Sequence, residues 1–228
     1  MGSAIQEISQ QRGHRIALTI DSSTQHLLTS ESLREADVAI EFTSPLSAFQ
    51  NVSRCLEAGI PTVCGSTGWT SSLETVAALC RQLNGSFIYA SNFSIGVNLF
   101  FELNKKLASL MATQPNYEVI LEEIHHTQKK DAPSGTAITL AEQILELLDR
   151  KKQWVNDISD NPEELEIISQ RIDPTPGTHS IKYSSVIDDI EIIHTAHNRT
   201  GFAAGAVKAA EYIIDKKGVF TMKDVLGL

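Results

Sequence analysis

The chain has 228 residues, 42% hydrophobic and 21% charged, which is enough for a buried core and for one or two domains. Its 19 basic and 28 acidic residues leave a formal charge of −9, which argues against a nucleic-acid binder, whose contact surface is basic. No apolar run approaches the ~18 residues of a membrane span, and the first residues lack the basic and apolar regions of a signal peptide. Cys55, Cys64 and Cys80, an odd number in no metal-like spacing, point to a reducing, cytoplasmic setting without a disulfide framework.

Ala4 to Gln11 reads as a helix, with Gly13 just past its end as a stop signal. His14 to Ile20 alternates and contains β-branched residues, which predicts a strand ending at Asp21. Val38 to Phe42 is a short apolar strand. Ser44-Pro45 then opens a helix, a serine cap with proline at the first helical position. Its apolar residues Leu46, Phe49, Val52 and Leu56 lie on one face, and Gly59 ends it. Pro61 to Cys64 reads as the next strand, followed by the Gly65-Ser66-Thr67-Gly68 turn. Leu73, Val76, Cys80 and Leu83 mark another helix, and Ser86 to Ala90 another strand. Such alternation predicts a parallel sheet covered by helices.

The pattern then changes. Ile95 to Met111 predicts a longer helix with Leu99, Leu103, Leu107 and Leu110 on one side. Tyr117 to Ile124 is a strand, and Ser134 to Leu148 a helix after a charged loop. Leu165 to His194 holds three strand patterns with little helix between them. Ile181, Tyr183 and Ile187 alternate with polar residues, as do Ile190 and Ile192, with Asp188-Asp189 as a turn. This predicts a second domain on an open mixed or antiparallel sheet. Phe202, Val207, Ala210, Ile213 and Ile214 are spaced for one face of a last helix. No internal repeat or low-complexity run interrupts the chain.

The densest chemistry lies in the stretch from Glu123 through His125-His126, Lys129-Lys130 and Ser134-Gly135-Thr136 to Ala137, which leaves a strand, crosses a loop and enters a helix. Free N–H groups and the dipole at a helix start favour an anion such as a carboxylate or phosphate. Histidine titrates near neutral pH and suits acid–base work. A capped helix behind a solvated polar loop is the plain alternative, but acid–base groups and an anion nest converge here. Gly65-Ser66-Thr67-Gly68, Ala90-Ser91-Asn92-Phe93 and Glu41-Phe42-Thr43 all follow strands, on the carboxyl edge where open α/β sheets bind ligands. Asp21 lies 19 positions after Gly2, near the ~20-residue spacing of an acid that binds an adenosine ribose, and serves equally well as a turn-former. His194 and His197 could join His125 and His126 around a metal, but there is no helical His spacing and no clustered Asp or Cys, so no metal is expected. Arg199, just before a helix, suits a carboxylate clamp or a surface position. The cysteines read as structural, since none has an evident electropositive neighbour.

The segment from His125-His126 to Ala137 resembles the signature of 4-hydroxy-tetrahydrodipicolinate reductases, also called dihydrodipicolinate reductases. The Glu41-Phe42-Thr43, Gly65 to Gly68, Asn92 to Gly96 and His197 to Gly205 segments resemble the family in the same order. The resemblance covers essentially the whole chain. It implies an α/β fold: a Rossmann-like parallel-sheet domain for the dinucleotide (residues 1–92 and 198–228) and a mixed α+β domain for substrate binding and tetramerisation (93–197). It implies NADH or NADPH as cofactor, a small dicarboxylate as substrate, and a homotetramer acting in lysine and diaminopimelate biosynthesis. His125 would be the acid–base histidine and Lys129 the proton donor, while His126, Ser134, Gly135, Thr136 and Arg199 would hold the two carboxylates. Gly65, Thr67, Asn92 and Phe93 would approach the nicotinamide half, Phe42 and Thr43 the cofactor middle, and Asp21 the adenosine ribose. Glu41 stands where the family usually has Asp, and Ser66 where Thr is common. Met1-Gly2 aligns with only the end of the family's glycine-rich loop, so its first strand and two glycines are expected to be missing. Two other readings stand beside the reductase: a non-catalytic binding or assembly subunit with impaired cofactor binding, and a different two-domain dehydrogenase, such as one acting on an aldehyde through a catalytic cysteine, against which the cysteine positions speak.

Overall fold

A computed structural model describes residues 1–198 and 200–228. The chain divides into two compact units, Met1–Ile95 with Thr200–Leu228, and Gly96–Arg199. The first begins with α1 (Gly2–Gln11), which stops at Gly13 in the left-handed region (φ +86°). The short helix α2 (Ser30–Leu33) is followed by β1 (Ala39–Glu41), α3 (Pro45–Glu57), β2 (Thr62–Cys64), α4 (Leu73–Gln82) and β3 (Ser86–Tyr89). The second unit holds α5 (Ile95–Met111, starting at the boundary), β4 (Glu118–His125), α6 (Gly135–Leu145), β5 (Gln153–Val155), β6 (Glu164–Arg171), β7 (Gly177–Ser184) and β8 (Asp189–Ala196). The chain returns to the first unit with α7 (Thr200–Ile213), β9 (Gly218–Phe220) and α8 (Met222–Leu226).

In the first unit the strands run in the order β1-β2-β3-β9, all parallel. Helices α3 and α4 cover one face through Ala48, Val52, Leu56, Val76 and Cys80. Helices α1 and α7 pack with Val63, Ile88 and Phe93 in a second cluster. The α7 surface there is built of small residues, Ala203, Ala206, Ala209 and Ala210, which permits close approach. At Gly205 a Cβ would lie 1.7 Å from the Phe93 carbonyl oxygen, so only glycine fits.

One expectation for this unit is narrowed and one is corrected. The buried face of α3 runs through Ala48, Val52, Cys55 and Leu56, whereas Leu46 is 98% exposed and Phe49 also faces outward. At 100° per residue, Leu46 lies some 120° from Val52, outside the face that the sheet covers. The segment from His14 to Ile20 is extended but is not a strand. A strand needs a ladder partner, and among the described residues no backbone hydrogen bond is made by residues 15–20. The segment is held instead by side chains, Gln6 donating to Thr19 Oγ1 (2.8 Å) and His14 meeting Glu211 (2.7 Å). Ile16, Leu18 and Ile20, together with Val38, Ile40 and Phe42, line a cleft of about 340 Å³.

The second unit is a mixed sheet in the order β5-β6-β4-β7-β8. β4 pairs parallel with β6 and antiparallel with β7. Helices α5 and α6 pack on the face carrying Val119, Leu121, Leu165, Ile167, Ile181 and Tyr183. Buried Asn104 joins the two helices by donating to the Leu140 carbonyl and to Gln143 Oε1, both at 3.0 Å. The side of α5 that carries the leucines is not the one its own unit buries. Val97, Phe100, Asn104, Ala108 and Met111 face inward, while Leu99, Leu103 and Leu110 are exposed, Leu103 by 57%. The edge strand β8 also exposes Ile190 and Ile193. Ile187 lies in the turn before β8 and is exposed. Among the described residues no helix is long and apolar enough to cross a membrane.

Candidate active site

The inward face of β4 reads Val119, Leu121, Glu123, His125, apolar at its start and ionisable at its end. Strand register explains what gathers there. Glu123 sits opposite Ser169 on β6 and His179 on β7, and His125 sits opposite Arg171. Three strands therefore place their polar residues on one buried rung. The Glu123 carboxylate is fully buried. It accepts from Ser169 Oγ (2.8 Å), from the Ser134 backbone N–H (3.1 and 3.2 Å to its two oxygens) and from the Arg171 guanidinium (3.4 Å). Burial pushes its pKa up, but His179, Ser134, Ser169 and the nearby His125 outweigh burial and hold it well below the usual carboxylate range.

His125 ends β4 with its ring edge-on to His179, centroids 5.1 Å apart. Its Nδ1 lies 3.4 Å from Glu123 but is not aligned for a hydrogen bond. Burial lowers its pKa to about 4, and the opposing pull of Glu123 does not restore it against His179, Lys129 and Arg171. It is therefore a neutral imidazole at pH 7. Its Nε2 would lie 3.0 Å from a Cβ at Gly177, so this glycine leaves room for the ring.

The chain continues as a short crossing loop. His126 lines a shallow cavity of about 340 Å³ with Gln128, Asp173, Thr175, Pro176 and Asn198. The Thr127 hydroxyl donates to Asp173 (2.6 Å). Lys129 Nζ pairs with both oxygens of Asp131 at 2.8 Å. The Arg171 guanidinium accepts nothing and donates to the carbonyls of Lys129 (3.3 Å) and Asp131 (2.6 Å), tying the loop down. Ser134 then caps α6. Its Oγ accepts from the Ala137 N–H (3.2 Å) and meets His179 Nε2 (3.1 Å). Gly135 is exposed, with open space where a Cβ would stand, and Thr136 is half-buried in the same first turn. The structure thus brings His125, Lys129, Ser134, Gly135 and Thr136 onto one strand–loop–helix segment. Arg199 lies outside the described residues.

Sequence reading opens its densest stretch at Glu123 without giving it a role, and does not single out Ser169, Arg171, Gly177 or His179. Their association depends on register across β6, β4 and β7, which no local motif encodes. Glu123, His125 and His179 offer donor atoms within 4.8 Å of one another, a different grouping from the histidines weighed as metal ligands. The adjacent Arg171 charge and the hydrogen bonds already made by both Glu123 oxygens oppose a cation there.

In the first unit the remaining predicted residues lie on strand-tip loops. The Glu41 carboxylate is buried and accepts from the Thr43 N–H (3.1 Å), from the Thr43 hydroxyl and from the Cys64 thiol (3.0 Å). Thr43 N–H also donates to Ser66 Oγ (2.8 Å), so the loops after β1 and β2 are joined. A Cβ on Gly65 would stand 2.2–2.8 Å from the Phe42 ring, so the ring occupies the space that glycine leaves. Thr67 is exposed on this loop, which the Trp69 indole anchors by donating to the Ser66 carbonyl (2.7 Å). Asn92 Oδ1 accepts from the Ser94 N–H (2.9 Å). The Phe93 side chain is buried against Phe42, leaving only its backbone to face a ligand. Asp21 is exposed and accepts from the backbone and hydroxyls of Ser23 and Thr24, the hydrogen-bonded turn that is one of its two readings. Glycine, threonine and asparagine stand at these strand ends, on the carboxyl edge where open α/β sheets take a dinucleotide, with the Phe42 ring packed beside Gly65. Cys64 does not suit a nucleophile, since burial first, and then Glu41, push its thiol pKa far up.

The comparisons agree across both units. Residues 1–93 match the profile described as dihydrodipicolinate reductase, N-terminus, and residues 96–226 that of the C-terminus. A 4-hydroxy-tetrahydrodipicolinate reductase from Christiangramia forsetii is 50% identical over 226 residues, covering 99% of this chain and 93% of that protein. One from Alkaliphilus oremlandii is 34% identical, covering 100% and 95%. A solved dipicolinate-bound dihydrodipicolinate reductase from a Paenisporosarcina species superposes with a TM-score of 0.67 at 25% identity, over 90% of this chain and 80% of that one. Profile matches over both units and a half-identical relative along nearly the whole length lead to one conclusion: the chain belongs to the dihydrodipicolinate reductase family.

Proposed function

We propose that this protein reduces 4-hydroxy-tetrahydrodipicolinate to tetrahydrodipicolinate with NADH or NADPH, a step toward diaminopimelate and lysine. The observation that carries the reading is the β4–α6 segment, where a neutral histidine, a lysine and an open helix start are held together by buried hydrogen bonds. The substrate is a cyclic imine with two carboxylates. The exposed first turn of α6 at Gly135–Thr136 binds one carboxylate through backbone N–H groups and the helix dipole. His126 and Arg199 hold the other. Loss of the 4-hydroxyl as water leaves a conjugated ring that accepts the hydride, and Lys129 exchanges its pairing with Asp131 for the substrate and supplies the one proton that balances it. His125 assists as a neutral hydrogen-bonding imidazole, and the approach of a dianion favours its protonated form.

Asp21, Phe42, Thr43, Gly65, Thr67, Asn92 and Phe93 would hold the nicotinamide dinucleotide, which supplies the hydride when bound. Under this reading residues 1–92 and 198–228 form the cofactor domain, and residues 93–197 the substrate and assembly domain. The exposed Leu99, Leu103 and Leu110 of α5 and the apolar edge strand β8 support assembly, as a homotetramer. Three buried unpaired thiols suit a reducing compartment such as the cytoplasm. The test is oxidation of NADH or NADPH that depends on added substrate. Measurable cofactor binding without substrate-dependent oxidation would refute the reading.

A further inference from the structure

The reductase reading assigns its chemistry to groups that can touch the substrate, but the most interconnected charge among the described residues of the second unit is one that cannot. Glu123 is fully buried at the end of a strand. A carboxylate there carries a desolvation cost that hydrogen bonds must offset. Apart from Ser169 on β6, its partners belong to, or hold, a proposed substrate-binding element. It receives the Ser134 backbone N–H, the residue that caps α6. It attracts Arg171, which in turn holds the carbonyls of Lys129 and Asp131. Its Oε2 faces His125 Nδ1 at 3.4 Å and His179 Nε2 at 3.7 Å. His179 closes the circuit through Ser134 Oγ.

We infer that Glu123 is a positioning residue: resting on the reductase reading, it fixes the α6 first turn, the Lys129 loop and the His125 ring in one substrate-binding geometry. The charged and titratable groups facing it are His125 on its own strand, Arg171 on β6, His179 on β7, and Lys129 and Asp131 on the loop. The carboxylate is needed rather than an amide of the same shape. Both oxygens accept hydrogen bonds, so an amide would turn an NH₂ toward a donor or toward the histidines and would leave Arg171 without its counter-ion. A simple electrostatic role predicts the opposite sign. Removing a negative charge near an anion site would tighten dicarboxylate binding, whereas loosening the site weakens it.

The experiment compares wild type, Glu123→Gln and Arg171→Lys in three readouts. Dipicolinate affinity is measured by calorimetry, NADH affinity by fluorescence, and amide exchange at residues 134–137 by NMR in the unliganded protein. In Glu123→Gln, dipicolinate should bind about tenfold more weakly, with turnover falling at least as far. NADH affinity should stay within about twofold. The Ser134 amide should exchange at least tenfold faster while Leu140 to Ile144 in the same helix do not change. Arg171→Lys should show the same pattern at smaller size, and it carries the test if Glu123→Gln does not fold. Unchanged or tighter dipicolinate binding, or unchanged exchange at Ser134, would overturn the inference. If wild type binds no dipicolinate, the reductase reading fails on its own, and Ser134 exchange still decides whether Glu123 positions the helix start.

Discussion

Gly205→Ala gives a sharp test of the packing that carries the Asn92-Phe93 loop. The new Cβ would stand 1.7 Å from the Phe93 carbonyl oxygen and 2.8 Å from its carbon, where ordinary contact begins near 3.4 Å. The obstruction is backbone, so no side chain can swing away, and α7 must retreat by about 1.7 Å or the loop must shift. Retreat loosens Ala203, Ala206, Val207 and Ala210, all buried. Overpacking of this kind costs ~1–3 kcal/mol, and a backbone clash belongs at the upper end or above. Alanine regains ~1 kcal/mol of helix propensity over glycine. The net loss should be about 2–3 kcal/mol, a fall in melting temperature of roughly 5 °C. Gly201→Ala is the control. Its Cβ would meet only Ser94 Oγ at 3.6 Å, so the change should be neutral or slightly stabilising. Calorimetric melting of both variants decides the matter, and a Gly205→Ala melting point within about 2 °C of wild type would refute the reasoning.

Gly65→Ala should displace the Phe42 ring and lower NADH affinity more than it lowers stability, read by cofactor titration beside thermal melting. Stability should fall as pH drops from about 6.5 to about 4, because His125 is buried neutral with a folded pKa near 4 while the unfolded chain takes up its proton at the ordinary value. The loss is at most about 3 kcal/mol, and denaturant unfolding of His125→Gln across that range should show a flatter slope. Leu103→Glu on the exposed face of α5 should shift the protein to smaller species in sedimentation while leaving its secondary structure unchanged.

Much of this was legible in the residues. The first unit's alternation of short apolar strands with capped helices was readable because proline, serine and glycine mark each boundary, as at Ser44-Pro45 and Gly59. The segment from His125 to Ala137 was readable because its chemistry is contiguous in sequence. What sequence reading did not reach depends on tertiary partners. The α5 leucines repeat with helical spacing, but spacing cannot tell a face buried in its own unit from one left exposed. Alternation in His14–Ile20 cannot supply the backbone partner that a strand requires. Strands β5 and β9 follow lysine pairs, Lys151-Lys152 and Lys216-Lys217, which read as solvated chain, whereas the equally short β1 and β2 sit in apolar runs. Glu123 with Ser169, Arg171 and His179 appears only once three strands are in register.

The most direct test of the central claim is substrate-dependent oxidation of NADH by the wild-type protein, with His125→Gln and Lys129→Ala measured alongside. Wild type should turn over. Each variant should lose about 100-fold or more in kcat, in line with the ~10²–10⁴ that a positioned acid–base group contributes, while still binding NADH. Wild type that binds NADH yet shows no substrate-dependent oxidation, or variants with near-normal kcat, would contradict the account.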